Sequence, residues 1–380
     1  MHRSKPCKII VMSKTAHRMP LIDALKAIAA MLVLLNHFSS YGPLAEAARD
    51  AFPAIFDGFF EYGRMAVQVF LVIAGFLAAR GLSAHGEHLA VSPLPLIWKR
   101  YLRLAVPYLA AIGLAIVASA IANQWLDDEA IPDRATLTQW LAHALLLHNL
   151  LGFEALSAGV WYIAIDFQLF ALMAMLLWAG RMRFVAPLLV LLVATTSLFW
   201  FNLDASWDNW AIYFFGSYGL GAAAWWASDR KQQAFWLGAI ATVAIAALVF
   251  DFRLRIALAL AVALVLGYGR RTGFLEQWPN VRALAFLGQI SYSIFLVHFP
   301  VLLLANTLYF QLELSSPTSV VLGLIGTLTA SIATATLFYR WIESPEASRR
   351  ITTALGSMSG KAMEMARRVP VLGALLPERA

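Results

Sequence analysis

Residues 21–41, LIDALKAIAAMLVLLNHFSSY, place ionisable groups inside an apolar run long enough to cross a bilayer. At about 1.5 Å per helical residue, such a run spans a hydrocarbon core of roughly 30 Å. Yet it holds Asp23, Lys26, Asn36 and His37. A charge in that medium costs several kcal/mol (about 2.5–3.5 on insertion scales) unless it finds a partner or a polar cavity. Lys26 and His37 are eleven residues apart, about three turns plus 20°, so they share one helix face. They stand roughly 16 Å apart along the axis, with Asp23 one turn from Lys26.

The run is the first of about ten. The others lie near 63–80, 102–122, 159–179, 184–203, 209–227, 234–250, 254–269, 284–308 and 318–340. Of 380 residues, 61% are hydrophobic and 13% charged. A soluble domain carries about twice that charge. The runs are too long and too uniformly apolar for transmembrane β-strands, so the expected fold class is all-α, a polytopic membrane protein. The single cysteine, Cys7, excludes an intrachain disulfide framework and a cysteine-based metal site, and no metal is expected.

The net charge of +7 is spread over alternating loops rather than gathered into a nucleic-acid-binding patch. With both termini cytoplasmic, cytoplasmic segments hold 23 of the 29 lysines and arginines. That satisfies the positive-inside rule at nearly every loop. The exceptions include Arg253 and Arg255, between the seventh and eighth runs. The expected organisation is a cytoplasmic tail over 1–20, a membrane domain over 21–345 and a basic amphipathic cytoplasmic tail over 346–380. No cleavable leader is expected, because the first run is full length and interrupted by charge. The apolar stretch 136–152 is expected to lie as an amphipathic helix at the outer interface.

Counting rise along each run places His37, Gln68, Asp166 and His298 in one slab, roughly 6–12 Å below the outer boundary. Lys26, Arg100 and Arg103 collect near the inner one. Each has a plain structural reading alone: histidine and glutamine as interhelical glue, lysine as a snorkelling side chain, arginines as topology signals. Their coincidence in depth suggests a tunnel for an elongated anionic ligand.

The ordered motifs resemble the membrane acyltransferase-3 family. Lys26-x10-His37, preceded by Asp23, is similar to its R/K-x10-H signature. GRMAVQVFLVIAGFL (63–77) is similar to its glycine-rich segment, with Ala74 where serine is usual. Arg100-x-x-Arg103, VWYIAIDFQLF (160–170, with Trp161), FLGQISYSIFLVHFP (286–300) and Glu343-Ser344-Pro345 follow in the family's order. Asp166 stands where the family usually has glutamate, one methylene longer.

The resemblance implies transfer of an acyl group, commonly acetyl, from cytoplasmic acyl-CoA to a carbohydrate or lipid-linked glycan in a bacterial cell envelope. Membrane lipid would surround the protein in the inner membrane, and nucleic acid is no partner. Lys26, Arg100 and Arg103 would hold the donor's phosphates. His37, whose unperturbed pKa near 6.5 suits proton abstraction at neutral pH, would be the general base. Asp166 would orient or charge-stabilise an imidazole, and His298, Ser291 or Tyr292 would bind the acceptor or the oxyanion. Asp23, Gln68 and Trp161 would support the site. Without the extracytoplasmic domain of some family members, two-stage work would call for a separate partner. The competing expectation is a proton-coupled secondary transporter or glycan exporter, although inverted repeats and interrupted helices are not evident.

Overall fold

The computed structural model describes residues 18–182, 185–229, 235–314, 316–347, 349–351 and 353. Most of the two expected tails, with Cys7, lies outside them. The described chain is all-helical. In order, the helices are α1 (Pro20–Phe38), α2 (Pro43–Ala51), α3 (Pro53–Tyr62), α4 (Val67–Leu82), α5 (Leu94–Ala122), α6 (Leu137–Ala144), α7 (Trp161–Ala179), α8 (Val185–Phe199), α9 (Ala211–Ala227), α10 (Phe235–Phe250), α11 (Leu254–Thr272), α12 (Phe274–Gln277), α13 (Arg282–Gln289), α14 (Ser291–Gln311) and α15 (Pro317–Phe338).

Among the described residues, seven helices are long and apolar enough to cross a membrane, which makes this a multi-pass membrane protein. They are α1, the continuous stretch from α3 through α4, α5, α7, the α8 stretch, α14 and the α15 stretch. The remaining three expected runs form α9, α10 and α11, of 17, 16 and 19 residues. α9 is the interior helix of the bundle, with 15 of its 17 residues buried.

Of the α9 glycines, Gly216 and Gly219 face α8, and Gly221 lets α9 touch α4, where Gly75 answers it. A Cβ at Gly75 would stand 1.9 Å from the Tyr218 carbonyl oxygen, and one at Gly221 would stand 2.0 Å from that of Val72. Backbone meets backbone here. Small residues serve this purpose between membrane helices, because lipid tails supply no hydrophobic drive and association depends on close packing.

Two other expectations change. α5 begins at Leu94 rather than near 102, after Pro93, so Arg100 lies nearly two turns inside a helix. The stretch 136–152 is not a surface-lying helix. From Pro132, whose carbonyl accepts from Asn123 Nδ2 beside the end of α5, the chain runs back along α5. Through α6 it reaches Tyr101, whose hydroxyl donates to the Ala144 carbonyl at 2.7 Å. It then returns, pinned by Leu156 N–H to His143 Nε2 and by Gln139 Nε2 to the Glu154 carbonyl. Tyr101 is 21 residues below Ala122, roughly 32 Å by helical rise. His143 and His148 turn inward, fully buried, while Leu137, Leu141, Leu145 and Leu151 face outward. Non-helical backbone is tolerated at membrane depth where protein covers it, as this hairpin is by α5.

The misplaced arginines also find a reason. Arg253 donates to the carbonyls of Leu198 and Ala247 and to Asn202 Oδ1, and Arg255 donates to the Asn202 carbonyl. Their charge closes the last turns of α8 and α10, where unsatisfied carbonyls and the helix dipole favour a cation.

Two outcomes follow from this packing. Gly75→Val or Gly221→Val should abolish a monodisperse size-exclusion peak in detergent, whereas Gly326→Ala, which meets nothing within 4 Å, should elute as wild type. Overpacking of a core costs about 1–3 kcal/mol even where side chains can yield, and at these two positions the obstacle is backbone. Arg253→Met should lower the thermal midpoint, by the equivalent of about 1–3 kcal/mol for each carbonyl left buried without a donor.

Candidate active site

His37 sits one residue before the end of α1, and His298 lies midway along α14. Their rings meet: His298 Nε2 is 2.9 Å from His37 Nδ1. His298 Nδ1 is 3.0 Å from the Ile294 carbonyl oxygen, one turn back on its own helix. A carbonyl only accepts, so His298 carries its proton on Nδ1. With both rings neutral, His298 Nε2 then accepts from His37 Nδ1–H. That assignment leaves His37 Nε2 bare, with its lone pair free for a proton. His298 is wholly buried, whereas His37 keeps 8% of its surface accessible.

The walls of this pair are aromatic and close. Tyr41 meets the His37 ring edge to face at 5.3 Å, and Phe295 lies 6.2 Å from His298. Gly159, with φ of +79°, runs past the same rings. A Cβ there would lie 3.2 Å from Phe295 Cζ and 3.6 Å from His37 Cε1. Positive φ and the tight approach both favour glycine at this point. Asn36 Nδ2 donates to the carbonyls of Phe59 and Phe60, fastening the end of α3 beside the histidines.

The next tier is an ion pair. Arg100 Nη2 lies 2.5 Å from Asp166 Oδ2, and the guanidinium also lies over the Phe170 ring at 5.4 Å. Tyr162, Tyr218 and Tyr292 all lie within electrostatic range of this pair. Tyr162 bridges upward, its ring 5.5 Å from that of Phe295.

The third tier lies toward the N-terminal end of α1. Asp23 accepts from Arg18 Nε at 2.9 Å and faces Lys26 Nζ at 4.0 Å. Lys26 is also within electrostatic range of Arg103 and Glu343. Glu343 accepts a short hydrogen bond from the Ser293 hydroxyl. A π-helical turn over Tyr339–Glu343 aims that carboxylate at α14.

The sequence-selected residues therefore separate into tiers rather than one slab. His37 and His298 come together as expected. Asp166 does not join them; its partner is Arg100, and the Ile294 carbonyl takes the orienting role expected of a carboxylate. Arg100 in turn is held inside the bundle by that pair rather than standing at an inner mouth, because α5 starts eight residues earlier than expected. Gln68 accepts from the Ser217 hydroxyl at 2.7 Å, joining α4 to α9 away from the histidines. Ser291 and Tyr292 donate their hydroxyls to the carbonyls of Gly288 and Leu104. Trp161 stacks on Phe214 at 5.5 Å, walling α7 against α9. Among the described residues, no group of three or more His, Cys, Asp or Glu could hold a metal ion.

Sequence reasoning passed over Tyr162, Tyr218, Asn36 and Gly159. Tyr162 and Asn36 adjoin selected residues, yet nothing in their spacing distinguishes them from wall residues. The Ser293–Glu343 link joins two stretches that had been quoted as separate motifs.

The profile of the acyltransferase-3 family, described as an acyltransferase domain, matches residues 20–336. The chain belongs to the acyltransferase-3 family, and the tiers described above lie within that acyltransferase domain or, for Arg18 and Glu343, just beyond its ends. The chain is also similar to "Regulator of hypoxia-inducible factor 1" of Caenorhabditis elegans, 27% identical over 173 residues. That match covers 42% of this chain and 34% of the relative, so the chain spans about a third of that protein's length. No solved structure matches it.

The Arg100–Asp166 pair, with Asp166 buried and Arg100 part-buried, gives a stability test. Removing one partner of a buried ion pair typically costs about 3–5 kcal/mol, while replacing both by apolar residues is often near neutral. Asp166→Leu alone should lower the thermal midpoint sharply, and Arg100→Met with Asp166→Leu should recover most of the loss. The double variant separates structure from function: full stability without activity would place the pair in the reaction.

Proposed function

We propose that this chain is an integral-membrane O-acyltransferase of the bacterial cytoplasmic membrane. It moves an acyl group, acetyl in the simplest case, from cytoplasmic acyl-CoA to a hydroxyl of a cell-envelope carbohydrate. The observation that carries this is the relay from the Ile294 carbonyl through His298 to His37, which leaves one imidazole nitrogen bare and accessible inside an acyltransferase-3 domain. In the orientation set by the loop charges, α1 begins at the cytoplasmic side and His37 lies toward the outer side.

In this scheme His37 Nε2 takes the proton of the acceptor hydroxyl as its oxygen attacks the thioester carbonyl. A carbon–oxygen bond forms and the tetrahedral centre collapses, breaking the carbon–sulfur bond. The proton on His37 passes to the departing sulfur, so the relay ends as it began. His298 acts as a positioning residue, holding the ring and the tautomer through Nδ1–H of His37. This resembles the role a carboxylate plays in a hydrolase triad, without adding a negative charge to the bundle. Lys26 and Arg103, below, suit the anionic parts of a donor entering from the cytoplasm. The acyl transfer needs no nucleophilic side chain; the acceptor attacks directly.

His37→Ala should lower kcat by about 10²–10⁴, the usual range for a positioned general base, while the protein still elutes as a folded, monodisperse species in detergent. His298→Ala should lower kcat with little change in the donor KM and should move the acid limb of the pH–rate profile. His298→Asn, whose amide oxygen accepts from His37 Nδ1–H, should recover part of the rate. The assay follows isotope from labelled acetyl-CoA into envelope glycan, using purified protein in lipid nanodiscs. Wild-type labelling in the His37→Ala variant would overturn the assignment.

A further inference from the structure

A cavity of about 450 Å³ opens where α4, α9, α11 and α12 meet the start of α1, and Arg80, Trp225, Ser228, Asp229, Arg270 and Glu276 line it. Its size falls in the range of small-molecule sites, about 300–1,000 Å³. It lies at the end of the interior helix α9, toward the same end of the bundle as Lys26. Met19, which also lines it, precedes Lys26 by seven residues and His37 by eighteen. Met19 is the N-cap of α1, and Leu21 on its first turn faces α11 at Gly269, so the cavity lies at the N-terminal end of α1, roughly 27 Å of helical rise from His37.

Two guanidinium groups converge on one indole here. Arg270 Cζ lies 3.7 Å above the Trp225 ring, and Arg80 Cζ lies 5.9 Å from it. Arg270 is braced by the Trp225 carbonyl at 2.7 Å and by the Ser228 hydroxyl at 3.2 Å. Among the described residues, the hydrogen-bond partner of Arg80 Nη1 is a soft acceptor, Met19 Sδ at 3.8 Å. A planar cation with four further N–H donors beside a cavity is suited to bidentate phosphate recognition. The stacked Arg270 presents a flat, charged surface on which a purine ring can lie. Asp229 and Glu276 also line the cavity within electrostatic range of Arg270, and Asp229 faces His85 at 3.8 Å.

We propose that this cavity takes the phosphorylated nucleotide end of the acyl donor, an adenine ring on Arg270 and phosphate on Arg80. The inference rests on the acyl-CoA reading given above and sharpens it. With Arg100 engaged by Asp166, the nucleotide end sits at the N-terminal end of α1, about two turns below Lys26, and the slender acyl-bearing arm runs inward toward His37.

The test uses the full chain in nanodiscs of zwitterionic lipid and, in parallel, nanodiscs containing anionic lipid. Adenosine 3′,5′-bisphosphate is the binding probe; acetyl-CoA and S-acetylpantetheine, which lacks the nucleotide, are the donors. Arg80→Gln is the primary variant, because its guanidinium braces no backbone carbonyl; Arg270→Lys is the second. Each should weaken bisphosphate binding by about tenfold or more in both lipids, as expected for loss of a charge-assisted bidentate contact. Each should raise KM for acetyl-CoA by a similar factor with kcat unchanged, the mark of binding made equally in ground and transition states. KM for S-acetylpantetheine should not move. Equal KM rises for both donors, or unchanged bisphosphate affinity, would overturn the assignment. An effect confined to anionic nanodiscs would also overturn it, giving the cavity to a lipid phosphate. Bisphosphate binding that depends on Arg80 in a protein that transfers nothing from acetyl-CoA would uphold the cavity and sink the donor reading.

Discussion

In a hydrocarbon medium, each charged or hydrogen-bonding side chain must meet its partner within the chain. Much of this structure follows from that requirement. Arg100 closes on Asp166, Asp23 gathers Arg18 and Lys26, Ser293 meets Glu343, and His37 meets His298. Apart from the local contacts of Asp23, each link joins elements distant in sequence, so these polar groups fasten the bundle as well as furnish its interior. The hairpin between α5 and α7 obeys the rule in part: His143 donates to the Gln139 carbonyl and accepts from the Leu156 N–H, while buried His148 stacks on the His143 ring at 4.1 Å with neither nitrogen hydrogen-bonded among the described residues.

The close seam between α4 and α9 complements these links. Where α4 and α9 touch through backbone, no side chain intervenes, and the bundle gains a rigid interior against which α7, α8 and α11 pack. A rigid interior matters for the histidine pair, because catalytic geometry is useful only if neighbouring side chains hold it within a fraction of an ångström. Gly159, Tyr41 and Phe295 supply that restraint around His37, and Asn36 ties the next helix to it.

The tiered arrangement also bears on how a thioester donor would be handled. In the proposed reaction, a neutral histidine relay would supply a base without a carboxylate beside the developing oxyanion. The ion pair below it compensates Asp166, so its negative charge would be balanced before an acyl carbon arrived. Basic groups are then left for the end of the bundle where a phosphorylated ligand would enter.

The all-helical class, the positions of most helices and the common depth of His37 and His298 were legible in the sequence. Helical rise converts residue number into depth, and apolar run length converts composition into span. Depth alone was insufficient for Asp166 and Gln68, since rise says nothing about which neighbour a helix face meets. A boundary error of eight residues on α5 moved Arg100 from an expected mouth to an interior ion pair. The stretch 136–152 misled for a related reason: its apolar pattern suits lipid contact at an interface or at depth alike, and contacts with α5 choose between them, Tyr101 holding the Ala144 carbonyl and the Tyr108 ring facing that of His143 at 6.4 Å. The sequence by itself determined a multi-pass helical bundle with a general-base candidate on its first helix. Which polar groups face one another was decided by tertiary structure, because partner choice depends on helix rotation and crossing, set by backbone contacts such as Gly75 against Tyr218 that no linear spacing encodes.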